Sequence, residues 1–156
     1  MKLDTSLNPV WSDTYGGRDS DITSSQLPML QFVNTISKIP NNNFVLVGST
    51  ASFGAGGTDI LVVQTNNNGQ MLWSNTVGTP SNDRGLNVTG MINGFIVVSG
   101  ETGSGSGNSD IYLACMDVFG VRQWTKIIGA GGSESAYSMQ KTAGGGIILA
   151  GPTNSF

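Results

Sequence analysis

Short apolar runs, separated by polar and glycine-rich turns, recur along the whole chain. In the clearest stretch they cover residues 71–77, 86–92, 95–100 and 111–117. These runs are built from Val, Ile, Phe, Tyr, Trp and Thr, which suit pleated, half-buried positions. Phe95-Ile96-Val97-Val98 and Ile147-Ile148-Leu149-Ala150 are apolar without interruption, the pattern of strands covered on both faces. Turn formers stand between the runs: Asn68-Gly69, Asn93-Gly94, Phe119-Gly120 and Gly144-Gly145. No stretch keeps a helical period, so the pattern predicts an all-β chain.

The runs repeat. Trp11, Trp73 and Trp124 stand 62 and 51 residues apart. Aligned on them, Asp4, Asn66 and Asp117 each lie seven residues earlier, and Gly69 and Gly120 four earlier. Gly100 and Gly151 follow their tryptophans by 27 residues, and Gly48 follows Trp11 by 37. Two residues beyond each of these glycines comes Thr50, Thr102 or Thr153. A unit of about 50 residues holding four short strands is the signature of a β-propeller blade. We therefore expect a single domain, residues 1–156, of about three blades: repeats 11–72, 73–123, and 124–156 completed by 1–10. The tryptophans are expected to pack between blades.

Composition narrows the function. Charged residues make up 11% of the chain and 23 residues are glycine, which fits a turn-rich globular β protein. A net charge of −3 with only seven basic residues argues against nucleic acid, which is bound through clustered Lys and Arg. The absence of histidine removes Ser-His-Asp triads and most metal-hydrolase sites. With one cysteine, Cys115, there is no disulfide framework. Without histidine to activate it, Cys115 reads as a small buried hydrophobe. No apolar run reaches membrane-spanning length, and the opening Met1-Lys2-Leu3-Asp4 is not a signal peptide. Asn87-Val88-Thr89 fits a glycosylation pattern but falls in a predicted strand.

Segments 95–102 and 109–113, with Asp117, Gly120 and Trp124, resemble the tandem β-propeller repeats of secreted and surface bacterial proteins, the SBBP-type repeat. Residues 1–4 and 145–151 are similar to other parts of it, and residues 18–31 match nothing. The resemblance implies a propeller with a binding or scaffolding role and an extracellular or surface location. It implies no shared catalytic residues.

Propellers close with four to eight blades. Three would need a partner, and the alignment places Met1 opposite Val63 and Ala114, inside a strand. The opening residues are thus expected to complete the last blade as a strand exchanged across a seam. The favoured outcome is a homodimer closing six blades with twofold symmetry. The competing outcome is a piece of a longer propeller.

Alternate connections in such a unit gather at opposite ends. One end takes the tight turns; the other takes the long glycine-rich loops, where function concentrates. That second end is acidic. Asp21, Asp83 and Glu134 each stand ten residues after a tryptophan, with Asp19 a rival to Asp21, and Asp59 and Asp110 open equivalent strands. Rings of such carboxylates could hold Ca²⁺; the alternative is that Asp59 and Asp110 accept N–H bonds within their own turns. No other cofactor is expected. The leading expectation is a non-catalytic binding or scaffold module with a protein or glycan partner. The second is a carbohydrate- or Ca²⁺-binding lectin-like propeller. The third is a carboxylate glycosidase using Asp83 and Glu134, which requires two carboxyls about 5 to 10 Å apart.

Overall fold

A computed structural model describes residues 1–13, 15, 35–103 and 108–155. Its regular elements are strands, β1 (Lys2–Leu3), β2 (Pro9–Trp11), β3 (Thr35–Lys38), β4 (Phe44–Thr50), β5 (Asp59–Thr65), β6 (Met71–Val77), β7 (Asp83–Gly90), β8 (Ile96–Gly103), β9 (Ser109–Met116), β10 (Arg122–Ile128), β11 (Ser138–Lys141) and β12 (Ile147–Ala150), with one 3₁₀ turn at Pro40–Asn42 among the described residues. The chain is all-β, as its short apolar runs and turn formers predict. Strands β3 to β6 form one four-stranded antiparallel sheet in chain order and β7 to β10 form a second. Two hairpins, β1–β2 and β11–β12, flank them.

The sheets stack face to face. Val45, Val47, Ile60 and Val62 of the first sheet meet Val88, Ile96, Val98, Tyr112, Ala114 and Met116 of the second. Each fully buried Val or Ile contributes roughly 1.5–3 kcal/mol. The opposite face of the second sheet, through Val97 and Cys115, packs on Met139, Ile147 and Leu149 of the last hairpin. Residues 95–98 are therefore uniformly apolar because β8 is covered on both sides. Ile147 to Ala150 has the same composition but a different fate: Ile148 is 61% exposed, because nothing described lies on the far face of β12.

The sheets are cut differently from tryptophan-to-tryptophan repeats. Segment 71–77 pairs with β5, so each tryptophan strand closes the preceding sheet. Gln64 faces Trp73, Cys115 faces Trp124 and Lys2 faces Trp11, each beside a register shift. By this register β1–β2 is equivalent to the third and fourth strands of a sheet. Ser138↔Ala150, Met139↔Leu149, Gln140↔Ile148 and Lys141↔Ile147 repeat Asn87↔Ser99, Val88↔Val98, Thr89↔Val97 and Gly90↔Ile96. So β11–β12 is equivalent to the first and second strands. Among the described residues, β12 and β1 each keep one unpaired edge.

The landmark residues have physical roles. Asp4, Asn66 and Asp117 each open the same tight turn, and one side-chain oxygen of each accepts two backbone N–H groups, two and four residues ahead. Gly69 and Gly120 sit in these turns at φ 82° and 80°, conformations that glycine adopts without a Cβ penalty. Gly100 and Gly151 let neighbouring backbone approach: a Cβ there would collide with the carbonyls of Arg84 and Ser135, and one on Gly85 would collide with the carbonyl of Gly48.

Candidate functional site

The meander puts the β4–β5, β6–β7, β8–β9 and β10–β11 connections at one end of the stacked sheets, and this end carries the carboxylates. They come in two equivalent pairs, one at each junction between consecutive sheets. A Cβ built on Gly78 would stand 2.6 Å from Asp83 Oδ2 and 2.7 Å from Asp59 Oδ1. Gly129, 51 residues later, occupies the same place between Asp110 and Glu134. Glycine is required at both positions because the carboxyls fill the space of a side chain.

Each pair is tied into its own loops. Asp83 accepts the Thr79 N–H at 2.7 Å and hydrogen bonds the hydroxyls of Thr79 and Thr102. Glu134 repeats the arrangement, accepting the Ala130 N–H at 2.9 Å and the Thr153 hydroxyl at 3.0 Å, with Ser155 as a further donor. Thr102 and Thr153, two residues beyond the landmark glycines Gly100 and Gly151, thus serve the carboxylates of their junctions. Asp59 Oδ2 accepts the Gly56 N–H at 3.1 Å, the turn-making role open to it from the sequence. Asp110 Oδ1 is buried with no donor and lies beside Glu134. The two carboxyls can bond each other only when the pair holds a proton.

The two junctions differ electrostatically. Burial pushes the Asp83 carboxyl above the usual carboxylate range, and the neighbouring Asp59 charge pushes the same way, against the threonine bonds that lower it. At the second junction, hydrogen bonds from Ser155 and Ala130 hold the Glu134 carboxyl below that range.

The structure therefore joins Asp83 to Asp59 and Glu134 to Asp110, whereas the tryptophan spacing pairs Asp83 with Glu134. Among the described residues, no group of three or more His, Cys, Asp or Glu side chains is placed to hold a metal ion. Asp21, Asp19 and the segment 18–31 lie outside the described residues, as does most of the glycine-serine loop at 104–107.

Of the three tryptophans, two are locked and one is not. Trp11 lies against Gly69 and donates its indole N–H to the Asn67 carbonyl at 3.3 Å. Trp73 lies against Gly120 and donates to the Val118 carbonyl at 3.0 Å. Each indole thus reaches from its own sheet or hairpin onto the turn of the next sheet. Trp124 is 45% exposed and has no such turn beside it.

One residue escaped the sequence reading. Leu7 holds φ 64° at the place of Gly69 and Gly120, and its position four residues before Trp11 was the available signal. Cys115 is buried, and desolvation pushes its thiol up, away from the thiolate that nucleophilic chemistry needs. Asn87 lies in β7 and donates to the Ala136 carbonyl at 2.8 Å.

No helix among the described residues is long and apolar enough to cross a membrane. No protein-family model matches the chain, and no curated protein matches it.

Proposed function

We propose that this chain is half of a six-bladed β-propeller, closed by a second copy, and that it serves as a non-catalytic scaffold for binding or assembly. One observation carries the proposal: the chain holds two complementary half-sheets with open edges. The hairpin β11–β12 supplies first and second strands, and β1–β2 supplies third and fourth. A blade has four strands, and joining these two hairpins makes one. Joining them within these 156 residues would close only three blades, fewer than propellers use. Joining them between two chains closes six, and the contact is made twice by a twofold axis.

The uncovered surfaces support the same assembly. On the first sheet, Ile36 is 56% exposed on the face turned away from the second sheet. Ile148 is exposed on the far face of β12. In a closed ring these faces meet, burying on each what the internal sheets already bury. The resemblance to SBBP-type repeats supports a surface or extracellular setting for such a scaffold.

A non-catalytic role is supported by the carboxylates themselves. Asp83, Glu134 and Asp59 accept hydrogen bonds from their own loops, and they hold sheet junctions together. The glycine-rich end remains the surface where a protein or glycan partner would sit, on loops held by a rigid scaffold.

Light scattering tests the assembly. The expected mass is about twice the 16.2 kDa of one chain. A mass of 16.2 kDa at high concentration would rule the dimer out.

A further inference from the structure

The exposed indole of Trp124 identifies its own receptor. We propose that Trp124 docks on the tight turn at residues 4–8 of a second copy and donates its Nε1–H to the Thr5 carbonyl. This rests on the six-bladed reading and specifies the contact that seals each seam.

The inference comes from two internal precedents. Trp11 and Trp73 each lie over the left-handed residue of a turn, and each donates to the carbonyl of the residue that follows the turn's opening Asn or Asp. These acceptors are Asn67 after Asn66 and Val118 after Asp117. The turn after Asp4 is the same structure. Asp4 N–H bonds the Asn8 carbonyl at 3.0 Å and Leu7 N–H bonds the Asp4 carbonyl at 3.1 Å, matching Asn66 with Gln70 and Gly69, and Asp117 with Val121 and Gly120. The carbonyl in the acceptor position of this turn is that of Thr5. Thus the chain carries three indoles and three turns, with two matches made internally. The remaining indole and the remaining turn lie at opposite ends of the stack. The hairpin that carries the 4–8 turn is bonded to the first sheet through Trp11 and Lys2 on Asn67, and meeting Trp124 of these same 156 residues would close only three blades, fewer than propellers use.

The free turn differs in one respect. A Cβ on Gly69 would stand 2.6 Å from Trp11 Cε3, and one on Gly120 would stand 2.9 Å from Trp73 Cδ2. Leu7 carries that Cβ, so Trp124 must sit farther from its turn than the internal tryptophans do. The seam contact is consequently looser than the internal ones, and a glycine at position 7 should tighten it.

A double-mutant cycle on the dissociation constant of the full chain, followed by analytical ultracentrifugation, tests this. Trp124→Ala leaves the fold intact, because the indole is half exposed in the single chain, and weakens association by about 30-fold or more, as for a buried aromatic anchor. Leu7→Gly tightens association several-fold when Trp124 is present, and the gain vanishes in the Trp124→Ala background. An equal gain with and without Trp124 overturns the contact while leaving the dimer standing. Absence of any dimer in the unsubstituted chain overturns both the contact and the reading beneath it.

Discussion

At the scale of single residues, the two junction carboxylates respond oppositely to pH. The folded chain raises the Asp83 affinity for its proton through burial and the adjacent Asp59. Its contribution to stability is therefore present below the unfolded value of 3.8 and is lost as pH rises through the higher folded value. Glu134 is lowered from 4.5 by the donors around it. Its contribution is present above 4.5 and is lost as pH falls through the folded value. Melting temperatures from pH 3 to 8 at fixed protein concentration should separate them. Asp83→Asn should gain on the unsubstituted chain as pH rises, and Glu134→Gln should fall furthest behind at neutral pH and recover in acid. The same slope for both variants would mean that the two junctions are not distinguished as described.

Residue-scale features were unevenly legible in the sequence. The recurrence of Asp4, Asn66 and Asp117 was visible, because a side chain that organises a turn must recur with the turn. The pairing of Asp59 with Asp83 was not, because it is made across two loops and depends on the vacant Cβ position at Gly78. Leu7 was hidden for a different reason. Its backbone conformation is unusual for leucine, and only the glycines in the equivalent turns reveal it.

At the scale of strands and hairpins, the period of the apolar runs located the strands well, but it could not say which sheet each one joins. A tryptophan is a conspicuous place to start a repeat, and it lies on the last strand of a sheet, not the first. Phase is set by hydrogen bonding between β5 and β6 and between β9 and β10, and apolar composition does not encode it. The uniform apolarity of 147–150 predicts double burial; one face of β12 is instead open within a single chain. That same openness makes the hairpins the elements to perturb. Removing residues 1–7 takes away β1 and the 4–8 turn while leaving both four-stranded sheets whole. The truncated chain should stay folded by circular dichroism, with its dissociation constant raised at least 100-fold, about 2.7 kcal/mol. Unchanged association after truncation would show that the seam lies elsewhere.

At the scale of the whole molecule, the fold is two four-stranded sheets stacked on a shared core, flanked by two two-stranded hairpins. Repeat proteins of this kind bury each unit against its neighbours, and an end unit is stable only when something covers it. Exposed Ile36, Ile148, Trp124 and Ile127 mark the places left uncovered. The register expected for the proposed pairing follows from the second sheet, where Ile96 faces Met116, Val97 faces Cys115 and Val98 faces Ala114. Transposed to the proposed seam, Ile147 would face Leu3, Ile148 would face Lys2 and Leu149 would face Met1 of a second copy.

This register permits a direct measurement. Residues directly opposite on antiparallel strands have Cα atoms about 4.5–5.5 Å apart, within the span of a disulfide. Lys2→Cys and Ile148→Cys should be introduced together in a Cys115→Ala background, and the chain oxidised and weighed by mass spectrometry under non-reducing conditions. Mutual exchange of strands predicts a covalent dimer of about twice 16.2 kDa with both new cysteines of each chain consumed. A product that stays at 16.2 kDa, whether linked within one chain or carrying two free thiols, would contradict closure by a second copy.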